Sequence, residues 1–162
     1  VGITPDIIAF GKKAQVCGIM VGPRVDEVKD NVFKVSSRIN STWGGNLADM
    51  VRSTRYLEIY RDEHILDQVS NVTGPRLMQG LKELEAEFPQ FISNVRGKGL
   101  MCAYDFPCEE LRNKFKMGCW EQKMLILPCG NVSMRYRPAL NVPVEVIDRS
   151  MEISRSVLKK MC

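Results

Sequence analysis

Short apolar runs closed by glycine or proline alternate along this chain with longer stretches in which apolar residues recur every three or four positions. Brief apolar runs bounded by turn formers fit strands, and the three-four spacing fits a helix with one apolar face. The alternation therefore restricts the chain to strands interleaved with helices. Ile7-Ile8-Ala9-Phe10 reads as a short buried strand and Cys17-Gly18-Ile19-Met20-Val21 as a second, stopped by Gly22-Pro23. A helix is expected from Asn46 to about Glu63, with Leu47, Met50, Val51, Thr54, Leu57 and Ile59 as its stripe. Another is expected from Ile65 to Phe88, carrying Leu77, Leu81 and Leu84 on one face, with a break in question at Gly74-Pro75 and a stop at Pro89.

Ile92 to Phe106 reads as a strand pair or a bent strand, with Gly97 and Gly99 flanking Lys98 and suiting a tight bend rather than a phosphate. Glu109 to Lys123 is expected as a helix facing inward with Leu111, Phe115 and Trp120. Leu125-Ile126-Leu127-Pro128 and Ser133-Met134-Arg135-Tyr136-Arg137 read as two short strands. Val144 to Lys160 closes the chain as a helix with Ile147, Met151, Ile153 and Leu158 inward.

Composition narrows the function classes. At 162 residues, with 44% hydrophobic and 26% charged residues, the chain has a globular make-up. Its net charge of +4 is dispersed, with no long basic block, so a nucleic-acid or anionic-membrane partner is not implied. No apolar run reaches the roughly 20 residues that span a bilayer, and a cytoplasmic setting is the default expectation. Cys17, Cys102, Cys108, Cys119, Cys129 and Cys162 include no Cys-x-x-Cys pair, and His64 is the single histidine, on a charged segment. Reduced thiols, a solvated imidazole and no metal site are expected.

Lys12 and Lys13 follow the first apolar run and Gly11. A lysine there could condense with a carbonyl cofactor if an apolar pocket or a neighbouring cation made its neutral amine available. Taken by itself, a Lys-Lys pair after a strand is more often a solvated strand end. Ser41-Thr42-Trp43-Gly44-Gly45-Asn46 reads as a loop feeding a helix, suited either to capping or to a phosphate. Trp43 and Trp120 read as packing or interface residues. Arg135 and Arg137 alternate on a strand; such pairs usually face solvent, but guanidinium forks also bind carboxylates bidentately.

Pro5-Asp6-Ile7, Phe10-Gly11-Lys12-Lys13, Val25-Asp26-Glu27-Val28 with Asp30-Asn31-Val32-Phe33, Asn40 to Asn46, Arg96-Gly97-Lys98-Gly99-Leu100 and Met134-Arg135-Tyr136-Arg137-Pro138-Ala139-Leu140 together resemble the C-terminal part of class III pyridoxal-phosphate-dependent aminotransferases. Within that family the likeness is greatest to the lysine 6-aminotransferase (lysine ε-aminotransferase) branch. It covers nearly the whole chain, departing at Ala139, where the family commonly has a second proline. The resemblance implies an α/β fold: the C-terminal part of a fold-type I transferase. Residues 1–45 would end the large cofactor domain, and 46–162 would form the small one.

The same resemblance implies pyridoxal 5'-phosphate as cofactor and Lys12 as the catalytic lysine that holds it as a Schiff base and shuttles the substrate proton. Thr42 and Ser41 are implied as cofactor-binding, Thr42 reaching the phosphate of a partner subunit in a homodimer with a shared active site. Arg135 is implied as the carboxylate anchor and Asn40 as a lining residue of the substrate pocket. The implied reaction moves the ε-amino group of L-lysine to 2-oxoglutarate. Alternatives are a 4-aminobutyrate or ornithine aminotransferase, or a truncated chain without catalysis. A fragment is expected, with the acidic partner of the pyridine nitrogen, the phosphate-binding turn and the stacking aromatic lying upstream of it.

Overall fold

The computed structural model describes residues 2–39, 42 and 45–162. Two compact units divide the chain at Glu63 and His64.

In the first unit, strands β1 (Ile7–Phe10) and β2 (Gly18–Val21) pair antiparallel, Ile7 opposite Val21 and Phe10 opposite Gly18. A 3-10 segment, Pro23–Glu27, follows at the Gly22-Pro23 stop. The loop after it winds around the buried Asn31 side chain. Its Nδ2 donates to the Val25 and Val28 carbonyls at 3.1 and 3.0 Å, and its Oδ1 accepts from the Phe33 N–H at 3.0 Å. An asparagine that satisfies three backbone groups can stand in for regular structure in a loop. Helix α1 spans Leu47–Asp62 and is capped by Asn46, whose Oδ1 accepts from the Ala48 N–H at 3.0 Å.

The burial expected of the first strand fails in this unit, and the apolar stripe of α1 is uncovered as well. Ile7 is 64% exposed rather than buried, and the α1 stripe has no buried residue, Leu47 and Val51 being 77% and 71% exposed. A two-stranded ribbon encloses neither of its faces, so apolar patterning creates the faces without supplying a cover for them.

The second unit has a complete core. Strands β3 (Ser93–Lys98), β4 (Met101–Asp105), β5 (Leu127–Cys129) and β6 (Ser133–Tyr136) form an antiparallel sheet in the order β3-β4-β6-β5. Helices α3 (Gly74–Glu87), α4 (Glu109–Glu121) and α5 (Val144–Met161) pack with it: α3 against β3 and α5, α4 against α5 and β5. Leu77, Leu81 and Leu84 of α3 meet Ile147, Met151 and Leu158 of α5 in the buried layer, as their spacing predicts. A Cβ on Gly118 would come within 2.7 Å of Val157 Cγ1, so glycine lets α4 and α5 approach closely.

The break in question at Gly74-Pro75 becomes a wide turn instead. The short α2 (Ile65–Gln68) runs through a π-helical turn, Val69–Thr73, directly into α3. Pro75 lacks an N–H and its ring crowds the carbonyl four residues back, and the wider turn accommodates both. In α4 the inward face holds Arg112, Phe115 and Cys119, whereas Trp120 is 57% exposed. Trp120 lies five positions after Phe115, about 140° around the helix, so the expectation of an inward Trp120 was a misjudged face. The last strand pair is also shifted: β5 begins at Leu127 because Lys123, at φ 65, and Met124, whose N–H donates to Cys119 O at 2.9 Å, first close α4. Pro128 then sits on an edge strand, where its missing donor breaks no inner ladder. Among the described residues no helix is long and apolar enough to cross a membrane.

Candidate functional site

The link between β1 and β2 is a 3-10 turn, Lys12–Ala14, bracketed by two left-handed residues, Lys12 at φ 57 and Gln15 at φ 65. Tight antiparallel reversals demand such positive φ values, and non-glycine residues adopt them only when held there. Two backbone bonds hold the turn, Ala14 N–H to Gly11 O at 3.3 Å and Gln15 N–H to Lys12 O at 3.2 Å. Gln15 Oε1 also accepts from Arg52 Nη1 of α1 at 3.4 Å, and the same guanidinium nitrogen pairs with Asp49 Oδ1 at 2.8 Å. Gln15 and Arg52 stand 37 positions apart, and no spacing rule flags them. Both lysines are exposed, and among the described residues neither forms an ion pair. A primary amine condenses with an aldehyde in its neutral form, and the adjacent Lys13 is the cation that would favour that form at Lys12.

Thr42 lies exposed in a turn ahead of α1. Asn40, Ser41, Trp43 and Gly44 fall outside the described residues, so the binding roles expected of Asn40 and Ser41, and the packing role of Trp43, rest on the resemblance alone. The structure places Lys12 and Thr42 in the first unit and Arg135 in the second.

Arg135 stands on β6 between Ala103 of β4 and Leu127 of β5, and its side chain is on the face opposite the buried Met134 and Tyr136. Arg137 is likewise exposed but lies one residue beyond the end of the strand. Nearby on the same sheet, Asp105 collects Asn94 Nδ2 at 2.7 Å, Arg96 Nη2 at 3.0 Å and the Ser133 hydroxyl. Partial burial pulls the Asp105 carboxyl upward, but hydrogen bonds from Ser133, Asn94 and Arg96 outweigh it and hold the group below its usual range. Gly97 and Gly99, at φ 146 and 57, make the expected bend between β3 and β4.

His64 is exposed, with Nδ1 at 3.4 Å from Asp67 Oδ2. All six cysteines are free, and burial pushes the Cys119 thiol up to about 12. Among the described residues no three His, Cys, Asp or Glu side chains are grouped to hold a metal ion.

Residues 1–158 match the family Aminotransferase class-III. The L-lysine-epsilon aminotransferase of Streptomyces clavuligerus is 49% identical over 152 residues, which is 93% of this chain and 33% of that protein. The mitochondrial 4-aminobutyrate aminotransferase of Mus musculus is 34% identical over 137 residues, 83% of this chain and 26% of that protein. Among solved structures, the lysine aminotransferase from M. tuberculosis in the internal aldimine form superposes with a TM-score of 0.94 at 45% identity, covering 99% of this chain and 37% of that one. The chain thus spans about a third of the length of the lysine aminotransferases it matches. With its strand-end lysine turn, its open-faced sheet bearing Arg135 and a family match along nearly its whole length, the chain belongs to the class III aminotransferases.

Proposed function

We propose that this chain is the C-terminal portion of a lysine 6-aminotransferase, which moves the ε-amino group of L-lysine to 2-oxoglutarate and leaves glutamate and a semialdehyde that cyclises. The observation that carries the reading is Lys12: an exposed amine, unpaired among the described residues, at a constrained hairpin turn. Chain-wide identity, higher to the lysine enzymes than to the 4-aminobutyrate ones, supports lysine as donor.

Class III aminotransferases use pyridoxal 5'-phosphate. The donor set here fits it, since a primary amine is the side-chain group that condenses reversibly with its aldehyde. When bound, the cofactor supplies an electron sink for charge developing on the substrate carbon. Lys12 Nζ would hold it through its aldehyde carbon and would serve as the base that moves the proton from the substrate carbon bearing the amine. The Thr42 hydroxyl would help hold the cofactor phosphate from across a homodimer interface, which would make the dimer part of the site. The Arg135 guanidinium holds the substrate carboxylate through two parallel bonds. On this reading residues 1–45 end the large cofactor domain, 46–162 form the small domain, and the enzyme works in the cytoplasm.

The test is to supply the full-length enzyme with L-lysine, 4-aminobutyrate or L-ornithine as sole donor, with 2-oxoglutarate, and to measure glutamate. Lysine turnover well above the other two supports the assignment. Preferred turnover of 4-aminobutyrate or ornithine replaces the donor and leaves the family intact.

A further inference from the structure

The two residues that bracket the lysine turn stand in a backbone conformation that side chains rarely adopt. Lys12 at φ 57 and Gln15 at φ 65 are both left-handed, and neither is a glycine. Such a conformation persists only where neighbouring groups hold it. The two backbone bonds of the turn, at 3.3 and 3.2 Å, lie at the long end of the usual range and are weak restraints by themselves. The side chain of Gln15 supplies a third.

That restraint reaches into α1. Asn46 caps the helix, Asp49 lies in its first turn, and both suit the positive end of the helix. Asp49 Oδ1 holds Arg52 Nη1 at 2.8 Å, three residues further on, which fixes the guanidinium against the start of the helix. The same nitrogen donates to Gln15 Oε1 at 3.4 Å, and the Gln15 N–H donates to Lys12 O at 3.2 Å. A line of bonds thus runs from the first turns of α1 to the backbone of Lys12, all of it within the first unit.

We infer that Gln15 is a positioning residue for Lys12: it ties the left-handed end of the turn to α1 through Arg52 and so keeps the lysine backbone in place. The inference rests on the reading of Lys12 given under Proposed function. A lysine amine rides on a flexible four-carbon stem, so it meets a bound aldehyde efficiently when the backbone beneath that stem does not move as well. In this role Gln15 touches neither the amine nor the aldehyde. Its effect passes entirely through Lys12, which separates it from a residue that shapes the cofactor pocket or supports the fold.

The test is the equilibrium affinity of the full-length enzyme for pyridoxal 5'-phosphate, measured by dialysis and cofactor absorbance, which needs no turnover. Gln15→Gly removes the side chain and supplies the residue that takes a positive φ without strain, so the change does not burden the backbone. Its cofactor affinity should fall about fivefold, the worth of ordering one residue. With Lys12→Ala already in place, Gln15→Gly should change nothing further, because the amine through which it acts is gone. Arg52→Ala should match Gln15→Gly, and the two together should lose no more than either alone. Unchanged affinity in Gln15→Gly, or an equal loss when Lys12 is already replaced, overturns the inference. Arg52→Ala, compared with and without Lys12→Ala, decides the matter if Gln15→Gly does not fold. Cofactor binding undiminished by Lys12→Ala removes the anchoring role of Lys12 and this inference with it. Weakened binding in Lys12→Ala, together with unchanged binding in Gln15→Gly, removes the inference alone.

Discussion

Tyr136 Oη and Ser154 Oγ lie 2.8 Å apart in the interior of the second unit, joining the end of β6 to the middle of α5. Ser154 also donates to the Ser150 carbonyl at 2.8 Å, so its hydroxyl keeps a partner if the tyrosine oxygen is removed. Tyr136→Phe should therefore lose one buried hydrogen bond and leave no orphan, a cost of about 1 kcal/mol read as a lower urea midpoint with an unchanged slope. Ser154→Ala, which strands the phenol in the core, should cost more than Tyr136→Phe.

Gly97 and Gly130 separate two meanings of a positive φ. A Cβ on Gly97, at φ 146, would sit within 2.6 Å of Cys102 Cα and closer still to the Met101 carbonyl. Gly97→Ala should destabilise by about 3 kcal/mol, combining backbone strain with a clash that no side-chain rotation relieves. Gly130, at φ 54, has nothing within 4 Å of the added carbon, and Gly130→Ala should cost about 1 kcal/mol. Thermal melting of the two variants checks the order.

Asp105 sets a sign for the acid limb of stability. Its folded-state value lies below the ordinary 3.8, so the stabilisation is present above that value and is lost as pH falls through the folded one. Asp105→Asn should flatten the stability profile below about pH 4 and leave its slope near neutrality unchanged, measured as urea midpoints across the acid range.

Cys119 sets the opposite limb. Its thiol is pushed from an ordinary 9.0 up to about 12 by burial, so its contribution is complete below 9.0 and declines between 9.0 and about 12, where the unfolded chain ionises first. At neutral pH, reagents selective for thiolates should modify the exposed Cys17 and Cys162 in the native protein, and Cys102 and Cys119 only after unfolding. Mass mapping before and after denaturant distinguishes them.

Lys12→Ala should abolish borohydride-fixed labelling by pyridoxal phosphate at this turn and lower kcat by about 10⁴-fold, whereas Lys13→Ala should retain both label and most of the turnover. Label found on Lys13 in the wild-type protein would exchange the roles of the two residues.

Much of the second unit was legible from spacing. Leu77, Leu81 and Leu84, and Ile147, Met151 and Leu158, recur at helical intervals and are buried, because regular geometry converts sequence distance directly into a shared face. Gly97 and Gly99 likewise announced their bend. Lys12 and Arg135 are candidates only through the family resemblance, and spacing alone does not distinguish them from solvated cations. What patterning could not supply was the identity of the covering surface: Ile7 and Leu47 belong to apolar faces that nothing in the first unit buries, and Trp120 faces out while Arg112 faces in. Arg112 can do so because its guanidinium finds Glu109 Oε1 at 2.7 Å and the Gly130 carbonyl at 3.0 Å. The Asp105 cluster was equally invisible, since Ser133 and Arg96 lie 28 and 9 positions from it and meet only through strand register. Local periodicity determined which residues share a face of an element. Register and packing, set by long-range contacts that no local rule encodes, decided which faces are covered and which charges meet.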